Sequence, residues 1–234
     1  MLECFFHGHS FIEIMLPSNK SLLIDPFING NKKCELTVEQ VLDKDISTLI
    51  LTHGHHDHIG DTLEIVAQHP EIQIIAPTGI VSWLETQGVK NPMQSLNTGD
   101  NRIHEDIEIQ FVPAAHDGKI LETEFSCITV RVIITIGGKK IYHVGDTDLI
   151  PELKSISDNG NIDLAFLPIG GFYTMDATDA LTAASWIKAK IVVPIHYNTF
   201  PNIKADDMEF ARQLMLNKYA TPKVLKPGQS VILE

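Results

Sequence analysis

"LTHGHHDHIG", residues 51–60, places four histidines and one aspartate within the six positions from His53 to His58. The β-branched apolar run "ISTLILT" (46–52) ahead of it predicts a short, fully buried strand. Behind it, "DTLEIVAQHP" (61–70) predicts a helix, with Asp61 placed to cap the first turn, Glu64 three residues on and Pro70 just past the end. The donors therefore sit at a strand-to-helix junction, which argues against a histidine-rich surface loop. His53, His55, Asp57 and His58 spell HxHxDH. Alternate residues of an extended segment face the same way, so His53 and His55 can share one ion while Gly54 lets the backbone turn tightly. A bend into the helix would aim Asp57 and His58 at a second ion. Imidazole with carboxylate suits zinc first, with manganese, iron or nickel as alternatives, and does not suit calcium, which prefers all-oxygen shells.

Outward from this junction the chain alternates. "LECFFHGHSFIEIML" (2–16) and "SLLIDPF" (21–27) read as two strands joined by the turn "PSNK", and "TVEQVLD" (37–43) as a short helix. "IQIIAP", "IEIQFVPAAH", "FSCITVRVIIT" (125–135) and "KKIYHVGDTD" read as strands of a mixed sheet, with "GGKK" as a hairpin turn. "IDLAFLPIGG", "DALTAASWIKA", "KIVVPIHYN", "DDMEFARQLMLNK" and "KVLKPGQSVIL" then repeat a strand, helix, strand, helix, strand rhythm. No linker rich in Gly, Ser or Pro divides the halves. The expectation is one domain, residues 1–234, with pseudo-symmetry of architecture.

Composition narrows the function. Eighteen basic residues against thirty acidic ones give a net charge of −12 over 234 residues, which repels phosphate backbones and anionic membranes. A small-molecule substrate is expected, with neither nucleic acid nor membrane as partner. Cys4, Cys34 and Cys127 are three in number, far apart and in no CxxC pair, so they read as small buried hydrophobes in a reducing compartment. With no basic and apolar leader and no membrane-length apolar run, the expected location is the cytoplasm.

Three more candidate ligands lie at the ends of expected strands: His116 in "FVPAAHDG", Asp146 in "YHVGDTD" and His196 in "VVPIHYN". Singly, each is an ordinary polar residue at a strand end. In order behind HxHxDH, they resemble the motif series of the metallo-β-lactamase superfamily. "FHGHSFIEI", "LLIDP" and "LPIGGFYTMD" are similar to its compact branch, which includes ascorbate-6-phosphate lactonase, a phosphodiesterase of N-acyl phosphatidylethanolamine and a set of predicted metal-dependent hydrolases. The resemblance implies an α/β (α+β) fold, a four-layer αβ/βα sandwich of two mixed β-sheets flanked by helices. It makes His53, His55 and His116 ligands of one metal, Asp57, His58 and His196 ligands of a second, and Asp146 the carboxylate between them. It also makes Asp25 a support of the metal loop, and relatives in the lactonase branch suggest a homo-oligomer. His9, and after it His7, either reach the site or pack on the first hairpin. His56, His69, His104 and His143 have no motif support.

The chemistry implied is hydrolysis of an ester, lactone, thioester or phosphodiester by a hydroxide shared between two ions, which lower the pKa of water from about 16 towards 7. Asp57 would orient the nucleophile and pass a proton to the leaving group. No GxSxG elbow offers a competing serine. "IGGFYTM" forms either one wall for the substrate, with Tyr173 or Thr174 offering hydroxyls, or simply a tight turn. A phosphodiesterase or nuclease of the same superfamily, or a non-catalytic metal-binding scaffold, stand as alternatives.

Overall fold

The computed structural model describes residues 1–234, the side chain of Asn159 excepted. The chain forms two compact units: Met1–Asn97, Asp117–Thr129 and Lys226–Glu234 make the first, Thr98–His116 and Val130–Leu225 the second. Each is assembled from segments distant in sequence.

The first unit holds β1 (Leu2–Phe6), β2 (Ile12–Met15), β3 (Ser21–Ile24), β4 (Ile46–Ile50), β5 (Gln73–Pro77) and β6 (Met93–Leu96), with α1 (Val38–Leu42), α2 (His56–Ile59), α3 (Thr62–Gln68) and α4 (Thr78–Thr86) between them. The strand Gln229–Leu233 returns to this unit and pairs antiparallel with β1. From that edge through β3 every pairing is antiparallel, and from β3 to β6 every pairing is parallel. The parallel strands cross over through the helices, so they are covered and read as apolar runs: Leu49, Ile50, Ile74 and Ile75 are wholly buried. Ile65, Ile80, Trp83 and Leu84 of the helices pack with Leu49 and Ile74 in one core, joined by Ile120 from the 117–129 segment.

The second unit repeats the pattern. It holds β7 (Asn101–His104), β8 (Ile107–Pro113), β9 (Val130–Ile136), β10 (Lys139–His143), β11 (Leu164–Pro168), β12 (Ile191–Ile195) and the short β13 (Thr221–Pro222), which makes the returning strand Gln229–Leu233 β14. The pairings from β7 to β10 are antiparallel and those from β10 to β13 parallel. A 3-10 helix (Pro151–Asn159), α5 (Ala177–Ile187) and α6 (Asp207–Leu216) supply the crossovers. Asp176 caps α5 by accepting from the amides of Thr178 and Asp179, and Asp206 caps α6 through Glu209. Ala180, Ala184, Ile187, Phe210 and Leu214 close over Tyr142, Ala165 and Leu167. Both units thus contain a seven-stranded mixed sheet with three antiparallel and three parallel pairings, flanked by helices. The pseudo-symmetry expected from the sequence is one of pairing pattern.

Several local expectations are corrected. The stretch 2–16 is two strands, because the chain reverses between His7 and Phe11, where His7 N–H donates to the Phe11 carbonyl at 3.0 Å. The strand expected from Phe125 begins at Val130. Asp61 does not cap α3 with its side chain. Its carboxylate instead accepts from the amides of Ile28 and Asn29 and from the Asn29 side chain, fastening the loop after β3. Among the described residues, no helix is long and apolar enough to cross a membrane.

Candidate metal centre

Strand direction decides what gathers at one end of each sheet. In the first unit β1, β3 and β4 run the same way, since β1 and β3 are each antiparallel to β2 and β4 is parallel to β3. The segments leaving their C-terminal ends carry His9, Asp25 and the HxHxDH cluster respectively. In the second unit the same reasoning aligns β8, β10 and β12, whose exits carry His116, Asp146 and His196. All seven residues expected as ligands therefore leave their sheet at its carboxyl end, where open α/β sheets place ligands.

In the first unit Asp25 is the hub. It is wholly buried and adopts a left-handed backbone (φ 49°). Its carboxylate accepts from the Thr52 amide (2.9 Å), the Thr52 hydroxyl (2.6 Å) and His58 Nδ1 (2.7 Å). With its proton given to Asp25, the Thr52 oxygen faces His53 Nδ1 at 3.0 Å as an acceptor. These two bonds put the ring protons of His53 and His58 on Nδ1 and leave each Nε2 as a lone-pair donor, the arrangement that outer carboxylates impose on metal-binding histidines. Asp25 thereby ties β3 to the HxHxDH loop through Thr52 and His58.

The donor set fits a transition metal. His53 Nε2 and His55 Nδ1 lie 3.1 Å apart, close to the roughly 3.3 Å that two nitrogens 2.0–2.1 Å from one tetrahedral ion subtend. The rings of His53 and His58 are 4.0 Å apart. Asp57 and His58, on the single turn of α2, each place a ligand atom within 4.8 Å of the other and of His9. Gly54 is required for a reason other than the tight turn expected of it. A Cβ there would stand 2.6 Å from the Ile120 backbone, so the 117–129 segment packs directly on the ligand loop and donates the Leu121 amide to the Gly54 carbonyl.

In the second unit His196 Nε2 lies 3.0 Å and His116 Nε2 3.6 Å from the same oxygen of the buried Asp146. The His116 segment is riveted to the Asp146 segment by Ala115 N–H to Thr147 Oγ1 and Asp148 N–H to the Ala115 carbonyl, both 3.0 Å. The buried Arg131 also donates Nε–H to the carbonyl of Pro113. His196 itself sits at φ 53°.

His9 is the residue that sequence reasoning left open, and it reaches the cluster: its Nε2 is 2.9 Å from Asp57 Oδ2. His7 does not, bonding Glu13 and Glu35 instead. His56 is exposed, and His69 contacts the Leu42 carbonyl at 2.9 Å, away from the cluster. Burial pushes the thiols of Cys4 and Cys127 up to about 12 and that of Cys34 to about 11, so all three stay protonated at neutral pH and compete poorly for a metal.

A fold of two mixed seven-stranded sheets with imidazoles and carboxylates at the strand exits defines a class, and comparison with known proteins agrees. Residues 20–197 match the family model described as the beta-lactamase superfamily domain. A protein of Bacillus thuringiensis (strain Al Hakam), "UPF0173 metal-dependent hydrolase", is 38% identical over 233 residues, covering 97% of this chain and 98% of its own. Among solved structures, the novel metallo hydrolase Igni18 from the hyperthermophilic archaeon Ignicoccus hospitalis superposes with a TM-score of 0.91 at 32% identity, over 100% of this chain and 98% of that one. The metallo-beta-lactamase fold protein YhfI of Bacillus subtilis shares the fold at 14% identity (TM-score 0.78, 99% and 100% covered). The chain belongs to the metallo-β-lactamase superfamily, and within it to the group of metal-dependent hydrolases that these relatives represent.

Proposed function

We propose that this chain hydrolyses an ester, lactone, thioester or phosphodiester bond of a small molecule with two divalent ions, zinc foremost. His53, His55 and His116 would hold one ion, Asp57, His58 and His196 the other, with Asp146 serving both. The observation that carries the reading is the tautomer pair: Asp25 accepts from His58 Nδ1–H and Thr52 from His53 Nδ1–H, which leaves each Nε2 lone pair for a metal. The ions, when bound, supply Lewis acidity that acidifies water and polarises the bond under attack. Asp57 orients the nucleophile through a carboxylate oxygen and carries a proton from it to the leaving group. Asp146 and Asp57 add negative charge that the bound cations offset.

The 168–176 loop supports a substrate wall. It leaves β11, which runs parallel to β10 and β12, at the end of the sheet that carries Asp146 and His196. It is tied there by Ile169 N–H to the Ile195 carbonyl (3.2 Å) and Met175 N–H to the Thr147 carbonyl (3.0 Å). Phe172 and Tyr173 stand exposed at its tip with their rings edge to face, 4.5 Å apart. An apolar lip on an acidic chain favours neutral substrates over polyanions.

Elemental analysis of untagged protein reconstituted with zinc or manganese tests the proposal, followed by a screen of esters, lactones, thioesters and phosphodiesters. About two ions per chain, fewer in both Asp146→Ala and His116→Ala, with hydrolysis tracking metal content, is the expected result. Failure of wild type to retain any ion would overturn it. Two ions with no turnover in any class would favour the scaffold alternative.

A further inference from the structure

We infer that His9 is a positioning residue that fixes the Asp57 carboxylate; the inference rests on the role proposed for Asp57 above. His9 is 1% exposed and holds a left-handed backbone (φ 58°), a conformation that costs a non-glycine residue about 1 kcal/mol or more and persists only where the surroundings enforce it. The surroundings do so from both sides. The turn between β1 and β2 is closed by His7 N–H to the Phe11 carbonyl (3.0 Å) and Phe11 N–H to the Gly8 carbonyl (3.1 Å), with Gly8 at φ 96°. The neighbouring His7 is clamped by Glu13 (2.8 Å) and Glu35 (2.5 Å), and Glu13 in turn accepts from Ser21 and Lys44. The His9 ring is boxed edge-on by Phe27 and His58, each with its centroid 5.7 Å away.

This machinery delivers one nitrogen to one oxygen, His9 Nε2 to Asp57 Oδ2 at 2.9 Å. An Nε2–H donated there stops the carboxylate rotating about its Cβ–Cγ bond. It also withholds one oxygen lone pair, so that Asp57 presents its remaining lone pairs in a single orientation. Asp57 needs such a brace, since it sits on a four-residue helix whose N-cap, His55, makes no side-chain capping bond. The bond of His9 goes to Asp57, whereas the tautomers of His53 and His58 are set through Thr52 and Asp25. Its action is on Asp57.

The test compares wild type, His9→Asn and His9→Gln, each alone and in the Asp57→Asn background, by zinc titration against a chromophoric chelator. Asparagine tolerates the left-handed backbone but its amide stops short of Asp57, whereas the glutamine amide reaches as far as Nε2. Urea unfolding of the metal-free proteins reports whether each variant folds. The expected result is a weakening of one of the two zinc-binding steps by about 10- to 100-fold in His9→Asn. At least part of the affinity should return in His9→Gln, and the loss should vanish when Asp57 is already Asn. If His9→Asn binds zinc as wild type does, the inference fails while the hydrolase reading stands. Equal losses in Asn and Gln variants, persisting in the Asp57→Asn background, would overturn it in favour of His9 as a direct ligand. If wild type binds no zinc, the hydrolase reading itself fails and this inference falls with it. Should His9→Asn not fold, His9→Gly, which suits the left-handed backbone, takes its place in the cycle with Asp57→Asn: additive losses refute the inference and non-additive losses support it.

Discussion

Replacing Glu13 by glutamine tests how the buried network beneath the His9 turn is held. The Glu13 side chain is 1% exposed, and its oxygens accept from His7 Nε2 (2.8 Å), Ser21 Oγ (2.5 Å) and Lys44 Nζ (3.1 and 2.9 Å). Burial pushes this carboxyl up, but the hydrogen bonds from His7, Ser21 and Lys44 outweigh burial and bring it from 4.5 down to about 2. The fall from 4.5 to about 2 corresponds to about 3 kcal/mol, because each tenfold change in proton affinity is about 1.4 kcal/mol. The folded value is depressed, so the contribution is fully present above pH 4.5 and is lost as pH falls through about 2. Glutamine mimics the protonated acid, so Glu13→Gln should cost about 3 kcal/mol at pH 6 and roughly half that at pH 3. Urea unfolding in the presence of a chelator measures this without linkage to metal binding. His7 behaves oppositely: burial opposes its charge, but bonds to Glu13 and Glu35 win and raise it above 6.5, so its share of stability is lost as pH rises through that higher value. The pair together is most stabilising between pH 4.5 and 6.5. A penalty below about 1 kcal/mol at pH 6, or one that does not shrink on acidification, would refute the reasoning.

Gly170→Ala should be disproportionately harmful, because a Cβ at that position would lie 2.2 Å from the His196 carbonyl oxygen and 2.9 Å from the Ile203 side chain. A loss of about 1–3 kcal/mol with weaker zinc retention is expected, and an unchanged melting midpoint and zinc content would show that the loop yields. Asp57→Asn should retain more metal than Asp146→Ala while losing orders of magnitude in turnover on any substrate found by the screen. Unchanged turnover would remove Asp57 from proton transfer.

The HxHxDH cluster was legible because its donors are adjacent in sequence and sit between two segments of clear periodicity. His116, Asp146 and His196 were legible because each follows an apolar run that ends in polar residues, and their order carried the family resemblance. What lay hidden was contact between segments distant in sequence. Residues 7–10, His-Gly-His-Ser, interrupt the apolar pattern, and Gly8, at φ 96°, is the local mark of a reversal that a single-strand reading of 2–16 passes over. The bonds of His9 to Asp57, His7 to Glu35 and Asp61 to Asn29 join positions 28 to 48 residues apart, which no periodicity encodes. The helix α4 is hidden for a related reason: its N-cap is Pro77, with no side-chain capping bond, so it lacks the start signal by which α5 and α6 announce themselves. The need for glycine at position 54 arises from Ile120, far along the chain, which no local turn signal conveys.

Strand direction supplies what those local signals could not. Once β2 is known to be antiparallel to both β1 and β3, the turn after β1 must emerge at the same end of the sheet as Asp25 and the HxHxDH loop. His9 is then in reach of Asp57 by topology, before any side chain is placed. The same logic puts the loop after β11 beside those after β8, β10 and β12, making residues 169–175 neighbours of His196 and Thr147 although the sequence separates them by more than twenty positions. It also divides the surface into parts of unequal consequence. Substitutions in exits from the carboxyl ends of β1, β3, β4, β8, β10, β11 and β12 act on the residues proposed as ligands, on their supports or on the proposed substrate wall. Those at the opposite ends, such as the "PSNK" turn between β2 and β3 or the "GG" turn between β9 and β10, act on stability alone. Relatives that keep the ligands but differ in substrate should therefore diverge most after β11, where the chain is tied to the site by backbone bonds and its side chains are exposed.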